Sequence, residues 1–440
     1  GAGFDAAYGM VFGPDNAAGR AKITGQANLT NAALATFGVA LPDGMVSGQT
    51  RADIEIDLAR GQPGQMRLTS DLVGMGLQID PIGFAKRPDD TGKLAAQITL
   101  SSPPEVTRLS IDAADLQAQG TVRLAQDGGL DTARFAELTI GEWLAGDVTF
   151  LGQGAGKPLK LLLDNASVDL RFFPTARGSQ GTGAGTGTGA ESGLPLILRL
   201  DTLRISDDII LRGFAGDFPE AGALTGDFTA RLDGGTPLKG QLSPSRYGTR
   251  VRVVAQDAGA ALLQAGVYPS VRGGALNLVL TPRKAQGTYL GEVTMQGVRV
   301  QNANLLAELL NAISVVGLLD QLGGSGILFN NVIGSFILTP QGVDLREGAA
   351  TGGSLGVSMQ GIYRFEGAAL DMQGVVSPIY VINGIGAAIS KRGEGVLGFN
   401  YRLRGTADTP RVSVNPLSVL LPGFLRNIFK PPKAKLEAPQ

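Results

Sequence analysis

Histidine and cysteine are both absent from the 440-residue chain. Without histidine there is no imidazole base, no imidazole metal ligand and no Ser-His-Asp arrangement. Without cysteine there are no disulfides, thiolate nucleophiles, Fe–S clusters or cysteine-ligated zinc. The lack of thiols also agrees with an oxidising compartment. Charged side chains are scarce at 18%, with 38 basic against 39 acidic residues and a formal net charge of −1. That balance leaves no basic excess to hold a phosphate backbone, so a nucleic-acid partner is not expected. Aromatics are few, at 6% with one Trp. The longest apolar stretch, 305–319, is interrupted by Glu308 and Asn311. It falls short of the ~20 residues that span a bilayer. The chain opens GAGFDAAYG with no initiator Met or signal peptide. We therefore expect a processed or excised fragment whose anchor lies outside it.

Glycine and a period-two alternation fill the space these absences leave. Glycine numbers 65, roughly twice the usual ~7%. In Arg51-Ala52-Asp53-Ile54-Glu55-Ile56-Asp57-Leu58, the even positions are apolar and the odd ones charged. Strand side chains alternate faces, so this segment has one dry and one wet side. The same reading suits 121–124, 250–253, 276–280, 292–296, 342–346, 355–359 and 399–404. Strand–turn units at this spacing imply on the order of twenty or more short strands. Few helices are expected. The best is 302–322 (NANLLAELLNAISVVGLLDQL), apolar over most of its circumference and ended by Gly323-Gly324. A short helix over 257–264 has Asp257 as its N-cap, and further helical pieces are expected over 379–390 and 417–429.

The segment 177–193 (RGSQ to ESG) is Gly/Thr-rich and predicts a disordered loop, as does the Pro/Lys tail 430–440. The expected organisation is an N-terminal β segment over 1–176, that loop, a C-terminal β region over 194–429, and the tail. So little helix cannot roof so many strands. The apolar faces must close on each other, close into a barrel, or be covered by something that is not protein. Mostly short strands and few aromatics argue against an outer-membrane barrel.

Three motifs with catalytic or binding overtones read better as structure, the first as a glycine-relieved strand and the others as turns. Gly352-Gly353-Ser354-Leu355-Gly356 fits the nucleophile-elbow pattern but has no histidine to serve it. Gly152-Gln153-Gly154-Ala155-Gly156-Lys157 has Leu151 where a phosphate loop needs its first Gly, and Pro158 follows the Lys. Asp89-Asp90 and Asp207-Asp208 lack calcium-loop spacing and lie beside turn signals.

From about Val251 to Phe429 a series of short blocks occurs in order. They are Ala255-Gln256-Asp257-Ala258-Gly259 with Leu262, Gly273-Gly274-Ala275-Leu276, and Asn302-Ala303. Gly324-Ser325-Gly326-Ile327-Leu328-Phe329, Gly352 to Gly356 with Gly361, and Pro378-Ile379-Tyr380-Val381-Ile382-Asn383 follow. Gly405, the PRVSVNP run 410–416 and Leu421-Pro422-Gly423-Phe424-Leu425-Arg426 complete the series. This region resembles the C-terminal part of the AsmA-like family of bacterial envelope proteins, which includes TamB- and YhdP-type proteins. The first 250 residues share only the strand–turn texture.

The resemblance implies a mostly β fold: an elongated, curled, antiparallel-rich sheet forming an apolar groove, with a few short helices near the C-terminus. It implies a periplasmic, inner-membrane-anchored protein of a Gram-negative bacterium that carries phospholipid acyl chains between inner and outer membranes. It implies no catalytic residue, metal or cofactor. Expected partners are phospholipids and the two membranes or their proteins. The candidate groove lining is Ile54, Ile56, Leu58, Val251, Val253, Leu276, Leu278, Val293, Met295, Leu355, Val357, Phe399 and Tyr401. The alternative is a structural or chaperone factor that assists outer-membrane protein assembly by strand addition.

Overall fold

The computed structural model describes residues 4–10, 20–36, 44–79, 84–154, 157–173, 194–219, 224–378, 398–406 and 409–415. Strand accounts for 65% and helix for 9%, the mostly β class that the alternation predicts. The segments 177–193, 379–390, 417–429 and 430–440 lie outside the described residues. The chain divides into two compact units, Gly1–Gly226 and Asp227–Gln440.

The first unit opens with β1 (Phe4–Met10), β2 (Ala21–Leu29), α1 (Asn31–Thr36), β3 (Val46–Gly48), β4 (Thr50–Ala59) and β5 (Gln62–Ser70). It continues with β6 (Met75–Ile79), β7 (Phe84–Lys86), β8 (Gly92–Leu100), β9 (Glu105–Ala113) and β10 (Leu116–Leu124). β11 (Leu130–Ile140), β12 (Leu144–Leu151), β13 (Lys160–Asp169), β14 (Leu196–Arg204) and β15 (Ile210–Phe218) complete it. Its main sheet runs β1-β2-β4-β5-β8-β9-β10-β11-β12-β13-β14-β15. Every pair is antiparallel except β13–β14. A parallel pair needs a long crossover, and the Gly/Thr-rich segment falls within that connection. β3, β6 and β7 form a separate three-stranded sheet.

The sequence of β4 shows why the sheet has two unlike faces. Glu55 and Asp57 on the polar face meet Lys22 of β2 and Arg67 of β5, with Lys22–Glu55 at 2.8 Å and Arg67–Asp57 at 3.4 Å. The Lys22 hydrogen bond, more than the nearby Arg67, holds Glu55 below its ordinary carboxylate pKa. On the opposite face Ala52 and Ile54 are buried. Strand β5 repeats the pattern with Met66 and Leu68.

Bulges interrupt this regularity along one line. Register skips occur between Gln117 and Gln119 in β10, Phe135 and Leu138 in β11, Ala145 and Asp147 in β12, and Asp164 and Ala166 in β13. Glu137 and Asn165 take positive φ there, at 61° and 47°. The Asp147 carboxylate joins them, accepting from Glu137 N–H and Asn165 Nδ2, both at 3.4 Å. Aligned bulges bend adjacent strands at a common level and raise their twist.

The second unit begins with β16 (Gly226–Leu232), β17 (Pro237–Ser245), β18 (Gly248–Ala255), α2 (Ala258–Gln264), β19 (Val271–Arg272) and β20 (Ala275–Pro282). It continues with β21 (Tyr289–Val300), α3 (Asn304–Ala312), α4 (Val316–Gly323), β22 (Ile327–Thr339) and β23 (Gly342–Thr351). β24 (Leu355–Arg364), a short 3-10 turn, β25 (Ala369–Pro378), β26 (Phe399–Thr406) and β27 (Pro410–Asn415) close it. From β17 the sheet runs β17-β18-β20-β21-β22-β23-β24-β25-β26-β27, wholly antiparallel, with β19 pairing beside the end of β21. The strands do not close into a barrel.

Asp257 caps α2 as its sequence predicts, accepting from Ala260 N–H at 2.9 Å. Small residues let α2 approach β19 closely: a Cβ on Gly259 would lie 2.6 Å from the Arg272 Cα. The single helix expected over 302–322 is instead two, α3 and α4, broken at Ile313–Val315. Ser314 takes φ 58° at the break. That left-handed residue ends the helical path, and α4 contacts α3 and β22 while α3 lies against β27.

Lys86, the last residue of β7, is buried, and its ammonium donates to the carbonyls of Leu72 (2.8 Å), Met75 (2.9 Å) and Arg87 (3.0 Å). Burial lowers its pKa, against the attraction of Asp90, Asp71 and Asp89. Lys86→Met keeps the length but removes this donor; Leu72 O and Arg87 O keep the amides of Met75 and Asp90, while Met75 O loses its side-chain donor, at about 1–3 kcal/mol. Hydrogen-exchange mass spectrometry should show about tenfold or faster exchange over 72–79, with β8 to β13 unchanged. Unchanged exchange over 72–79 would mean the ammonium does not fasten this sheet.

Candidate functional site

The motifs with catalytic overtones are turns. Gly352–Gly356 forms the β23–β24 hairpin, with Gly352 N–H donating to Leu355 O at 2.9 Å. A Cβ at Gly352 would lie 2.1 Å from the Leu328 carbonyl oxygen, so the glycine serves close backbone packing. In the β12–β13 connection Gly152 N–H donates to Asp131 O and Lys157 N–H to Gly154 O. Asp90 accepts from Arg87 N–H in its own turn, and Asp207 pairs with Arg171. Among the described residues no three acidic, Cys or His side chains gather as metal donors. Among them, too, no helix is long and apolar enough to cross a membrane.

What the ladder does assemble is apolar rows. Directly paired residues share a face, so the registers can be followed from strand to strand. In the first unit one row passes through Ile54, Leu68, Ala96, Leu109, Gly120, Phe135, Val148, Leu163 and Leu198. Two residues along, a second passes through Ile56, Met66, Ile98, Val106, Val122, Ala133, Phe150, Leu161, Leu196 and Phe218. No polar side chain interrupts either. The second row crosses ten strands, about 43 Å at the usual 4.7–4.9 Å spacing.

The second unit repeats the arrangement. Ala255, Leu276, Met295, Val332, Ala350, Val357, Val376 and Phe399 form one row. Val253, Leu278, Val293, Gly334, Gly348, Met359, Gly374, Tyr401 and Val414 form the next. Val251, Leu280, Gly291, Phe336 and Leu345 belong to a third. The registers thus bring Val251, Val253, Leu276, Leu278, Val293, Met295, Val357, Phe399 and Tyr401 to one face, with Leu355 two residues before Val357 on the same strand. Ile54, Ile56 and Leu58 share the apolar face of the first unit.

These residues differ in what covers them. Within β4 exposure rises along the face, from 6% at Ile54 through a half-buried Ile56 to 37% at Leu58. The end near Ala52 is capped: Leu72, Met75 and partly buried Val46 and Leu77, from the small sheet and its approach, join Ile54 and Leu68 in one cluster. Trp143 is buried at the corresponding end of β11–β12, edge-on to Phe173 at 4.9 Å. The Leu58 end is open. In the second unit Ala255, Leu276, Val298, Ile327 and Leu355 are buried at the end where α2, α3 and α4 are inserted. Val251, Val253, Leu278, Val293, Met295, Val357 and Phe399 are half-buried. Among the described residues, the principal packing on this sheet beyond its own neighbouring strands comes from helices, not from a second sheet. Tyr401 is a packing residue rather than an exposed lining one. It is buried, its hydroxyl donates to Ser358 O at 2.8 Å, and burial raises its pKa.

Glycine shapes the surface of these faces. A Cβ on Gly291 would fall 2.2 Å from the Phe336 ring, one on Gly240 2.0 Å from Phe228, and one on Gly120 2.7 Å from Phe135. The rings therefore lie over their neighbours' bare backbone, the arrangement that shields strand glycines. The middle strands of the first unit and residues such as Val332, Phe336 and Met359 join the face only through register. Single-strand alternation could not show which of them align.

No family model, curated protein or solved structure matches the chain.

A face capped at one end and open at the other predicts a graded response to charge along a single strand. Ile54→Asp buries an unpaired carboxylate and should cost at least about 3 kcal/mol. Leu58→Asp, four residues along the same face, should stay within about 0.5–1 kcal/mol. Urea unfolding of the two variants measures both, and equal losses would show that the Leu58 end is closed.

Proposed function

We propose that this chain binds and carries lipid, holding acyl chains on the apolar faces of its sheets. The observation that carries the reading is the set of uninterrupted apolar rows on single β layers, many of their residues half-buried and, beyond the small sheet that caps one end of the first unit, without a roofing sheet among the described residues. Hydrocarbon suits such a face because each buried CH₂ contributes about 0.8 kcal/mol. The longest row also exceeds one bilayer leaflet in length, about 43 Å against about 15 Å, half of a ~30 Å hydrocarbon core. An acyl chain therefore has many equivalent positions along it. Aliphatic side chains and shielded glycines give those positions similar depth, which favours sliding over tight capture. The resemblance of 251–429 to the AsmA-like family supports phospholipid as the cargo and the periplasm, between inner and outer membranes, as the setting.

Strand addition to unfolded outer-membrane proteins is the second reading, and it needs an accessible edge. β27 is short, begins at Pro410 and has α3 lying against it, all features that blunt an edge. These features count against capture there.

The test is mass spectrometry of lipids extracted from the natively purified chain, beside a variant carrying Ile56→Asp, Leu278→Asp and Met295→Asp. All three positions are half-buried, so circular dichroism should show the variant folded. Phospholipid near one or more equivalents on the wild type, most of it lost from the variant, is the expected result. A lipid-free wild type that forms stable complexes with unfolded barrel peptides would overturn the reading in favour of the second.

A further inference from the structure

The open end of the second unit carries a feature that the apolar rows do not explain. Four hairpin turns emerge side by side there: 245–248, 283–288, 339–342 and 364–369. Their adjacency follows from register, since Ser245 pairs with Gly248, Pro282 with Tyr289, Tyr289 with Leu338, and Gly342 with both Thr339 and Arg364. Contacts between the turns agree: a Cβ on Gly248 would lie 3.6 Å from Pro282 and one on Gly287 3.1 Å from Pro340.

These turns are basic in a chain whose charges otherwise balance. Arg246, Arg283, Lys284 and Arg364 are exposed on them, and Arg250 lies just behind, its Nε donating to Thr281 Oγ1 at 3.2 Å. Glu366 is the acidic residue on the same turns. Arg246, Arg250, Arg283 and Lys284 line an open cleft of about 910 Å³ with Tyr247 and Leu290, and no carboxylate lines it. Arg402 and Arg346 of the same unit, by contrast, pair with Asp371 and Asp344, each at 3.0 Å.

Large apolar side chains are exposed among these cations. Tyr247 is 39% exposed with the Arg246 guanidinium 5.2 Å from its ring centre, Leu290 is 37% exposed, and Phe365 is 47% exposed beside Tyr363. Exposed rings among cations suit the boundary between water and lipid, where an aromatic body enters the headgroup layer and cations meet phosphate. The cleft is shallow and open, a form suited to a surface more than to an enclosed small anion.

We propose that these four turns dock the second unit on an anionic bilayer surface, with the open end of its apolar face directed at the lipid. The proposal deepens the lipid-carrying reading and rests on it, because docking at this end would place the rows where acyl chains enter or leave. Each cation near an anionic surface strengthens binding by about fivefold at low salt, and salt screens the attraction over a Debye length of about 10 Å at 0.1 M.

The experiment measures binding of the full chain to vesicles of phosphatidylcholine alone and of phosphatidylcholine with about 30% phosphatidylglycerol. The wild type is compared with Arg246→Gln/Arg283→Gln/Lys284→Gln/Arg364→Gln and with Tyr247→Ser/Phe365→Ser. The wild type should prefer the anionic vesicles, the fourfold variant should bind them about several hundredfold more weakly at low salt, and the aromatic variant should also lose affinity. Equal binding of the wild type to both vesicles, or undiminished binding of a folded fourfold variant, would overturn the proposal. So would displacement by soluble glycerol phosphate at the concentration of vesicle phosphate, which would assign the cleft to a small phosphate ligand. Extracted lipid, measured on the same preparations, separates the two readings. Docking can fail while bound lipid persists, whereas a lipid-free wild type refutes the carrier itself.

Discussion

Main-chain hydrogen bonding between strands fixes which residues face each other, and every property described above depends on that register. Because side chains alternate, a slip of one residue between β20 and β21 would turn Met295 and Val293 towards the polar side and bring Thr294 and Glu292 to the apolar one. The polar face helps to hold the correct register through pairs such as Lys22–Glu55 and Arg402–Asp371, whose partners sit on neighbouring strands. Exposed pairs of this kind contribute little stability. Across a long ladder, their repeated choice of one alignment still opposes the slips that would break an apolar row.

The two ends of each face divide stability from exposure. Small elements inserted between strands, β3, β6 and β7 in one unit and α2, α3 and α4 in the other, gather fully buried side chains beside them. Ala52, Leu72, Val298, Ile327 and Leu355 lie at these capped ends. A fold secured there tolerates half-covered hydrocarbon towards its other end. The open ends, with Leu58 and Leu100 in the first unit and Tyr247 and Phe365 in the second, need not contribute a core. Hydrophobic burial scales with area removed from water, so these surfaces retain unused driving force for binding.

The sequence disclosed what is local. The alternation in 51–58 marked the two faces of β4, and Asp257 capped its helix with its side chain, because both patterns depend on neighbours within a few residues. The break between α3 and α4 was hidden because the apolar pattern continues through Ile313 and Val315 while Ser314 turns left-handed. Nothing in composition distinguishes that turn from one more helical residue. The bulges of β10 to β13 were hidden for a related reason: Glu137 and Asn165 hold their conformations through the Asp147 carboxylate of a third strand. The cations of the open end are scattered from Arg246 to Arg364, and none belongs to a charge run that sequence could single out.

Glycine illustrates why such a face is both legible and incomplete in sequence. Read alone, 65 glycines suggest turns, and many do occupy turns. Gly120, Gly240 and Gly291 lie within strands, where a side chain would collide with a neighbouring phenylalanine ring. Each pair needs both members: the ring needs the bare backbone beneath it, and the glycine needs the ring to exclude water from its peptide groups. The pairing keeps the bulk of the aromatic close to the sheet, so a row can contain Phe336 or Phe135 without a projecting obstacle. For a surface that would let hydrocarbon move along it, uniform height matters as much as uniform polarity. A β-branched residue at these positions would preserve the alternation and raise a step across the row. The glycine content therefore belongs to the physics of the apolar faces as well as to the turns between strands.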